Sequence, residues 1–479
     1  MSDDPEMFKT LGTIATDAGS IADRARAAQK LVAPEGPGAI VKAGENLQAA
    51  LAAAALAGKA VQTEDNAIFE ERIKLPTGSR LVFGAGSGVH GVGEPAVWLR
   101  AGFHDVKMGG GRFTSTHADV LAFGENTANQ KTVESAPHGV HLIDCLVPTH
   151  RGRRGYSLHA ADVTLDNCQG LDIWHIGSGD TQGVYILNGP GPYRITGGRY
   201  QAASENFLAG GDRPQIPNMV PADITIDGVE FDKPDSMRGV SCNVKNNVEF
   251  KSARRFAVRN CRVHGCWRQG QDGVAFTLTP AGDGEDRVPV DASGIVEDGV
   301  IEDNLIWDVA AIFQVVGRNV HAYTERPLNN VSIRRNIVAC DRIKNVGTGQ
   351  FLSIAGEVAG IEVVDNVGFV DGSSLVYAYR GTVIEKDGVK HGGQNLGRVV
   401  FSRNWTPMGK YGFNIDGAPN SGTGQLMINT LEVAGNQFSG GDAAQRKTLP
   451  SNTYLTAAAF EASPVVVAAR ATLAAALAG

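Results

Sequence analysis

The sequence predicts an all-β fold, a parallel solenoid. Three observations carry that prediction: a repeated apolar frame, an asparagine recurring at one place in it, and a composition suited to many tight turns. The frame is apolar-x-apolar-x-x, followed by one defined slot. It reads VSIRRN to Asn336, IEVVDN to Asn366, VVFSRN to Asn404 and LEVAGN to Asn436. GVIEDN, ending at Asn304, keeps Ile301 and has Gly299 in the first apolar place. Upstream the slot holds Cys261, Val229, Gly198, Cys168 and Cys145, and Gly111 and Gly86 extend it further. These are twelve candidate units, 23–43 residues apart. Alternating apolar residues mean a short strand with one buried face. Twelve of them at this spacing mean one coil per unit, with loops of differing length between strands.

Asparagine inside an apolar run is costly unless its amide is hydrogen-bonded. Stacked coils supply the partner, because equivalent slots lie one strand spacing apart, about 4.8 Å. Asn304, Asn336, Asn366, Asn404 and Asn436 are therefore expected to form an internal ladder at a turn. In the earlier coils Cys145, Cys168 and Cys261 are expected to be buried thiols that act as small hydrophobes.

Composition agrees. Glycine is 60 of 479 residues and aromatics only 7%, which fits many turns and argues against a helical bundle. A net charge of −7 gives no reason to expect nucleic acid as a partner. Six cysteines in so long a chain do not form a disulfide framework. No stretch reads as a membrane span, and MSDDPEMFKT lacks the apolar core of a Sec signal peptide.

The ends read differently from the middle. Residues 1–32 place Leu11, Ile14, Ala18, Ile21, Ala25 and Ala28 near one helical face. An Ala-rich helix is expected from near Glu45 to Gly58, covering the open end of the coil. The expected organisation is a helical attachment segment over 1–35, a capping helix and entry over 36–75, the solenoid over 76–445, and a small apolar tail over 446–479. That tail is expected either to cap the last coil or to mediate self-association.

GENLQAALAAAALAGKAV, followed by LPTGSRLVFGAGSGV, resembles the start of many pectate-lyase-like right-handed parallel β-helix proteins. About 75 residues over 205–280, containing ENFLAGGDRPQIPNMVPADITIDGVEFDKPDSMRG, resemble a family of bacterial β-helix proteins of poorly defined function. The N-terminal helix, the small apolar tail and the missing secretion signal are similar to phage β-helix proteins of the tailspike, fibre or head-decoration type. That resemblance implies a right-handed coil and a virion-surface location after synthesis in the host cytoplasm. It also implies a homotrimer, with other virion proteins contacted through the N-terminal helix or C-terminal tail.

Candidate chemistry gathers in the long loops after the slots at 198, 229 and 261. Glu205, Asp212, Glu249 and Asp272 are the candidate acid and base residues. A pair of carboxylates across a glycosidic bond performs hydrolysis when suitably spaced. Trp267, with Lys245 and Arg268, is the candidate glycan-binding set, and Phe276 a further stacking ring. The alternative for all of them is a solvated charged wall, with Lys245 and Glu249 as an ion pair. Asp283–Asp286 offers oxygen ligands for Ca²⁺ without the spacing of a calcium loop, so no cofactor is expected. Arg342 and Lys344 fall in the RIK tripeptide of polygalacturonases, but that family's other motifs are missing, and both are expected to be surface charges. Cys261, His264 and Cys266 lack zinc spacing. The function expected is a phage virion surface protein that binds host-surface glycan. The alternatives are a polysaccharide lyase or glycoside hydrolase acting on an acidic polysaccharide, and a bacterial surface protein that binds carbohydrate.

Overall fold

The computed structural model describes residues 30–33, 35–281, 293–317, 326–379, 384–386, 389–391, 396–415, 418–419, 428–441 and 443–478. The helix expected before residue 30 and the acidic stretch Asp283–Asp286 lie outside them. The described residues form two compact units, one ending at Asn243 and one beginning at Val244.

Both units are built from coils of three short strands, one in each of three sheets. In the unit ending at Asn243, the first sheet holds eight strands from Ala39–Val41 to Ala222–Asp227. The second holds six from Ile73–Lys74 to Glu205–Ala209, and the third seven from Ile68–Phe69 to Glu230–Asp232. In the unit beginning at Val244, the first sheet runs from Ala253–Arg259 to Ile428–Ala434 and the second from Asn246–Phe250 to Ala418–Pro419. The third runs from Arg262–Cys266 to Thr453–Leu455. Successive strands pair in parallel, as in Val331↔Ile361 and Ile333↔Val363, except that Ala418–Pro419 folds back antiparallel on Gly412–Ile415. The fold class is the predicted one, a parallel β-helix.

The helix at the entry spans Leu47–Leu56, capped by the Asn46 side chain accepting from the Ala49 amide at 2.7 Å. It buries Leu47, Leu51 and Ala54. The strand Ala39–Val41 already precedes it and pairs with Val61–Thr63, so coiling starts earlier than the apolar frame indicated. Gln48 binds the first strand of the second sheet as a neighbouring strand would. Its Nε2 donates to the Lys74 carbonyl at 2.9 Å, and its Oε1 accepts from the Lys74 amide at 2.6 Å. An edge that would otherwise expose unpaired backbone groups is covered.

Each slot predicted from sequence is the second residue of a tight turn between first and third sheets. The residue before it is left-handed in every coil from Asp144 to Gly435, with φ between 51° and 68°. That requirement explains the Asp, Asn and Gly found there. Arg335 and Arg403 also adopt it, and each grips the aspartate one coil earlier. Arg335 reaches Asp303 with bonds of 2.9 and 2.8 Å, and Arg403 reaches Asp365 with bonds of 2.7 and 2.8 Å.

In the unit beginning at Val244 the asparagine side chains stack as a ladder. Nδ2 of Asn304, Asn336, Asn366 and Asn404 donates to Oδ1 of the next asparagine at 2.9, 2.9, 2.9 and 3.1 Å. Each accepting oxygen also takes the backbone amide of the donor residue at 2.8–3.0 Å. Asn436 continues to Asn452 at 2.8 Å, a member that the apolar frame does not mark. All five predicted asparagines are fully buried. Cys145, Cys168 and Cys261 occupy the same slot, also fully buried and unoxidised. Beside the ladder runs a column of core rings: Phe276–Phe313 at 5.5 Å, Phe313–Phe351 at 5.7 Å, Phe351–Phe401 at 5.8 Å and Phe401–Phe413 at 5.3 Å.

The C-terminal tail begins by extending the stack, with Thr453–Leu455 pairing in parallel with Gln437–Ser439. Its helix, Pro464–Ala478, runs back along the outer face of the third sheet. Ala469 and Leu473 pack on Leu305, Trp307, Ile337 and Val367. Arg470 lies 4.2 Å from the Phe369 ring, and Arg262 Nη2 donates to the Ala476 carbonyl at 3.2 Å. Fifteen residues span about 22 Å as helix, between about four and five strand spacings. The outward side chains Leu305, Trp307, Ile337 and Val367 are apolar, which is why a helix covers them.

Asn366→Leu removes the acceptor of the Asn336 backbone amide and of one Asn336 Nδ2 hydrogen, and takes a donor from the Ile333 and Val364 carbonyls, while Asn404 Oδ1 keeps the backbone amide of residue 366. It should lower unfolding free energy by about 3 kcal/mol, measured by chemical denaturation; an unchanged midpoint would mean the slot tolerates an unpaired neighbour.

Candidate functional site

The second sheet of the unit ending at Asn243 carries a groove of about 530 Å³ on its outer face. Strand alternation sends Val97, Leu121, Tyr156 and Val184 inward. It turns the in-register column Trp98, Ala122, Ser157 and Tyr185 toward the groove. A second outward column, at the strand entries, pairs Asp119 with Arg154 and Arg154 with Gln182. One wall comes from Gly93–Pro95, His117 and Arg153, the other from Glu125–Thr127 and Asp212.

The second wall is tied down by amides. Asn188 Nδ2 donates to the carbonyls of Glu125 and Gln130, both at 3.0 Å, and its Oδ1 accepts from the Ile216 amide at 2.8 Å. Asn126 bonds Arg213 and Gln215 at 2.9 Å each. The loops holding Glu125 and Asp212 are thus joined side by side.

Charge and aromatic surface alternate across the floor. Arg72 pairs with Glu94 at 2.6 Å, and its guanidinium sits 4.9 Å from the Trp98 ring centre, with Arg100 at 5.3 Å. Arg154 lies 4.0 Å over the Tyr185 ring, 3.4 Å from Gln182 Oε1 and 3.7 Å from Asp119 Oδ2. Glu125 Oε2 accepts from Thr127 and Asn129 at 2.7 and 3.2 Å. Asp119 Oδ1 and Glu125 Oε1 are buried without a hydrogen-bond partner.

Ser157 and His159 resemble a nucleophile–base pair but are polarised the wrong way. The Asn188 amide donates to His159 Nδ1 at 3.2 Å, so the ring proton is on Nε2 and points at Ser157 Oγ, 3.2 Å away. The imidazole cannot take the serine proton in that tautomer. Burial, followed by the Arg154 charge, lowers the His159 pKa to about 3.

The residues singled out from sequence are not gathered in this groove, with one exception. Asp212 lines it and accepts from the Arg213 amide at 2.7 Å. Glu205 is fully buried on the same sheet and accepts from Gln182 at 2.8 Å. In the unit beginning at Val244, Glu249 is 3% exposed, takes a bond from Asn246 at 3.2 Å and lies 3.5 Å from Lys251. Lys245 is buried. Trp267 is 5% exposed with its indole N–H on Gln269 at 3.0 Å, so its ring is not offered as a stacking surface. Phe276 points into the core, because its place in the strand is that of Phe313. Arg268 and Asp272 are exposed and 3.7 Å apart. Burial, then Tyr377, then the Asp272 charge raise the Tyr379 phenol. Arg342 and Lys344 are half-exposed and pair with Asp371 at 3.7 Å and Asp308 at 2.5 Å. His264 stacks on Trp307 at 4.2 Å, between the buried thiols Cys261 and Cys266.

The apolar frame marks only one strand per coil and does not reach Trp98, Asp119, Arg154 and Tyr185. Their signal is the segments AVWLR, DVLAFG, RGYSLH and QGVYIL, each lying one strand before the next first-sheet frame. The outward residues there differ in type from coil to coil, so no repeated letter marks them.

Compared with known proteins, the sequence matches no family model and no curated protein. Among solved structures it is similar to PfbA, a surface adhesin of Streptococcus pneumoniae, at 12% identity and a TM-score of 0.39. That match covers 73% of this chain and 94% of the other. It is also similar to a tailspike protein mutant of E. coli bacteriophage HK620 in complex with a pentasaccharide, at 13% identity and a TM-score of 0.39, covering 96% and 86%. A third is the N-terminal fragment of bacteriophage Phi29 gene product 12, at 14% identity and a TM-score of 0.32, covering 83% and 65%. The fold assignment rests on the strand pairing itself. Among the described residues no helix is long and apolar enough to cross a membrane.

His159 titrates near 6.5 when unfolded and about 3 when folded, so the folded chain binds fewer protons between those values. Its stabilising contribution is complete above pH ~6.5 and should fall by roughly 1.4 kcal/mol per unit as pH drops toward 3. Replacing the ring by His159→Asn should flatten that part of the stability–pH curve; an identical slope would place the titration elsewhere.

Proposed function

We propose that this chain is a bacteriophage virion surface protein, a tailspike, fibre or head decoration, that holds host-surface glycan in the groove of the second sheet. The observation that carries glycan binding is the groove floor, where the Trp98 ring lies among Arg72, Glu94, Asp119 and Arg154. Aromatic rings take the apolar face of a sugar, and fixed carboxylate and guanidinium groups take its hydroxyls. A homotrimer is the assembly proposed. Attachment to other virion proteins is assigned to the N-terminal segment or to the outer face of the C-terminal helix. That face exposes Val467 and Leu477 beside several alanines.

Trp98→Ala should reduce binding to a host-surface oligosaccharide array about tenfold or more while leaving the unfolding midpoint unchanged. Equal binding by both proteins would remove the groove from the proposal. Immunogold labelling of purified virions checks the location.

A second reading, a glycoside hydrolase or polysaccharide lyase, is favoured by the partnerless oxygens of Asp119 and Glu125 in the same groove. Under it, Asp119→Asn or Glu125→Gln abolishes release of reducing ends from host polysaccharide, while Glu205→Gln does not. Wild-type protein releasing none would leave binding as the function.

A further inference from the structure

The unit beginning at Val244 has its own outer face on the second sheet, and it differs in kind from the groove just described. Its outward column is Glu249, Thr277, Gln314, Ser353, Tyr377 and Asn414, each in register with the next. The alternate positions, Phe276, Phe313, Leu352, Val376 and Phe413, fill the core. Six hydrogen-bonding side chains therefore stand in a line at one strand spacing, spanning about 24 Å. Polar outward residues are ordinary, but this row is only partly exposed and incompletely bonded. Thr277 is 3% exposed and its hydroxyl has no partner. Asn414 Oδ1 is also buried without a partner, although its Nδ2 reaches Ser374 at 3.4 Å. Beside the line the Tyr377 and Tyr379 rings lie 5.4 Å apart.

We infer that this column is a second binding site, for a linear, uncharged, hydroxyl-rich polysaccharide lying along the stack of coils. Five of the six are amides or hydroxyls, which both donate and accept and so match the hydroxyls of neutral sugars, and Glu249, at the first coil, adds an acceptor. The strand spacing is close to the length of one pyranose, so successive sugars meet successive coils. Tyr377 and Tyr379 supply the stacking surface. The column has no row of cations to hold a polyanion and no apolar surface to hold a helix. The inference does not depend on the Trp98 groove being a glycan site.

The probe is an array of neutral bacterial surface oligosaccharides, graded from disaccharides to octasaccharides, applied to the whole chain. Affinity is expected to rise with chain length. Tyr377→Ala and Gln314→Ala, both at partly exposed positions, should each lower octasaccharide affinity about tenfold and disaccharide affinity little. Trp98→Ala should leave that length dependence in place. Wild-type affinity in both column variants, or no neutral chain held at any length, overturns the second site. Loss of the length dependence in Trp98→Ala would assign it to the groove and overturn the second site as well.

Discussion

Every feature of this molecule depends on equivalent residues of successive coils lying one strand spacing apart. At that separation a side chain's nearest neighbour is its own counterpart. An asparagine can then satisfy its amide with another asparagine, a phenylalanine can pack on a phenylalanine, and a polar outer residue becomes part of a line. Interior columns select for likeness, because a buried amide must find its complement. Outer columns carry no such demand and are free to vary, which is where binding surfaces arise.

That difference decides what was legible in the sequence. The turn slot was readable because burial forces the same residue type at Asn304, Asn336, Asn366, Asn404 and Asn436. Asn452 was missed because its flanks, TLPSNTYL, lack the alternating apolar pair before the slot. The floor of the candidate groove was missed because Trp98, Ala122, Ser157 and Tyr185 share a register and not a chemistry. Trp267 and Phe276 were read as surface rings because they lie near charged residues in the sequence. For Phe276, strand alternation overrides that proximity and turns the ring inward. The C-terminal helix was recognised as small and apolar, but its covering role requires knowing that Leu305, Trp307, Ile337 and Val367 face outward.

The two outer faces of the second sheet illustrate how one scaffold carries different surfaces. The face before Asn243 combines rings with fixed charges inside raised walls, and hydrogen bonds between the Asn188 side-chain amide and Glu125, Gln130 and Ile216 hold one wall in place. The face after Val244 is a line of five neutral donors and acceptors that starts from Glu249, with a tyrosine pair beside it. Neither needs a change in the core, since inward and outward residues alternate along each strand.

The left-handed turn residues Asp303, Arg335, Asp365 and Arg403 alternate in sign along the stack, and Arg335 and Arg403 each hold the aspartate before them. A chain that wound with one coil skipped would set acid over acid and base over base at this corner. Correct winding order is thereby encoded as charge complementarity, at a place where the apolar frames are too alike to tell one coil from the next.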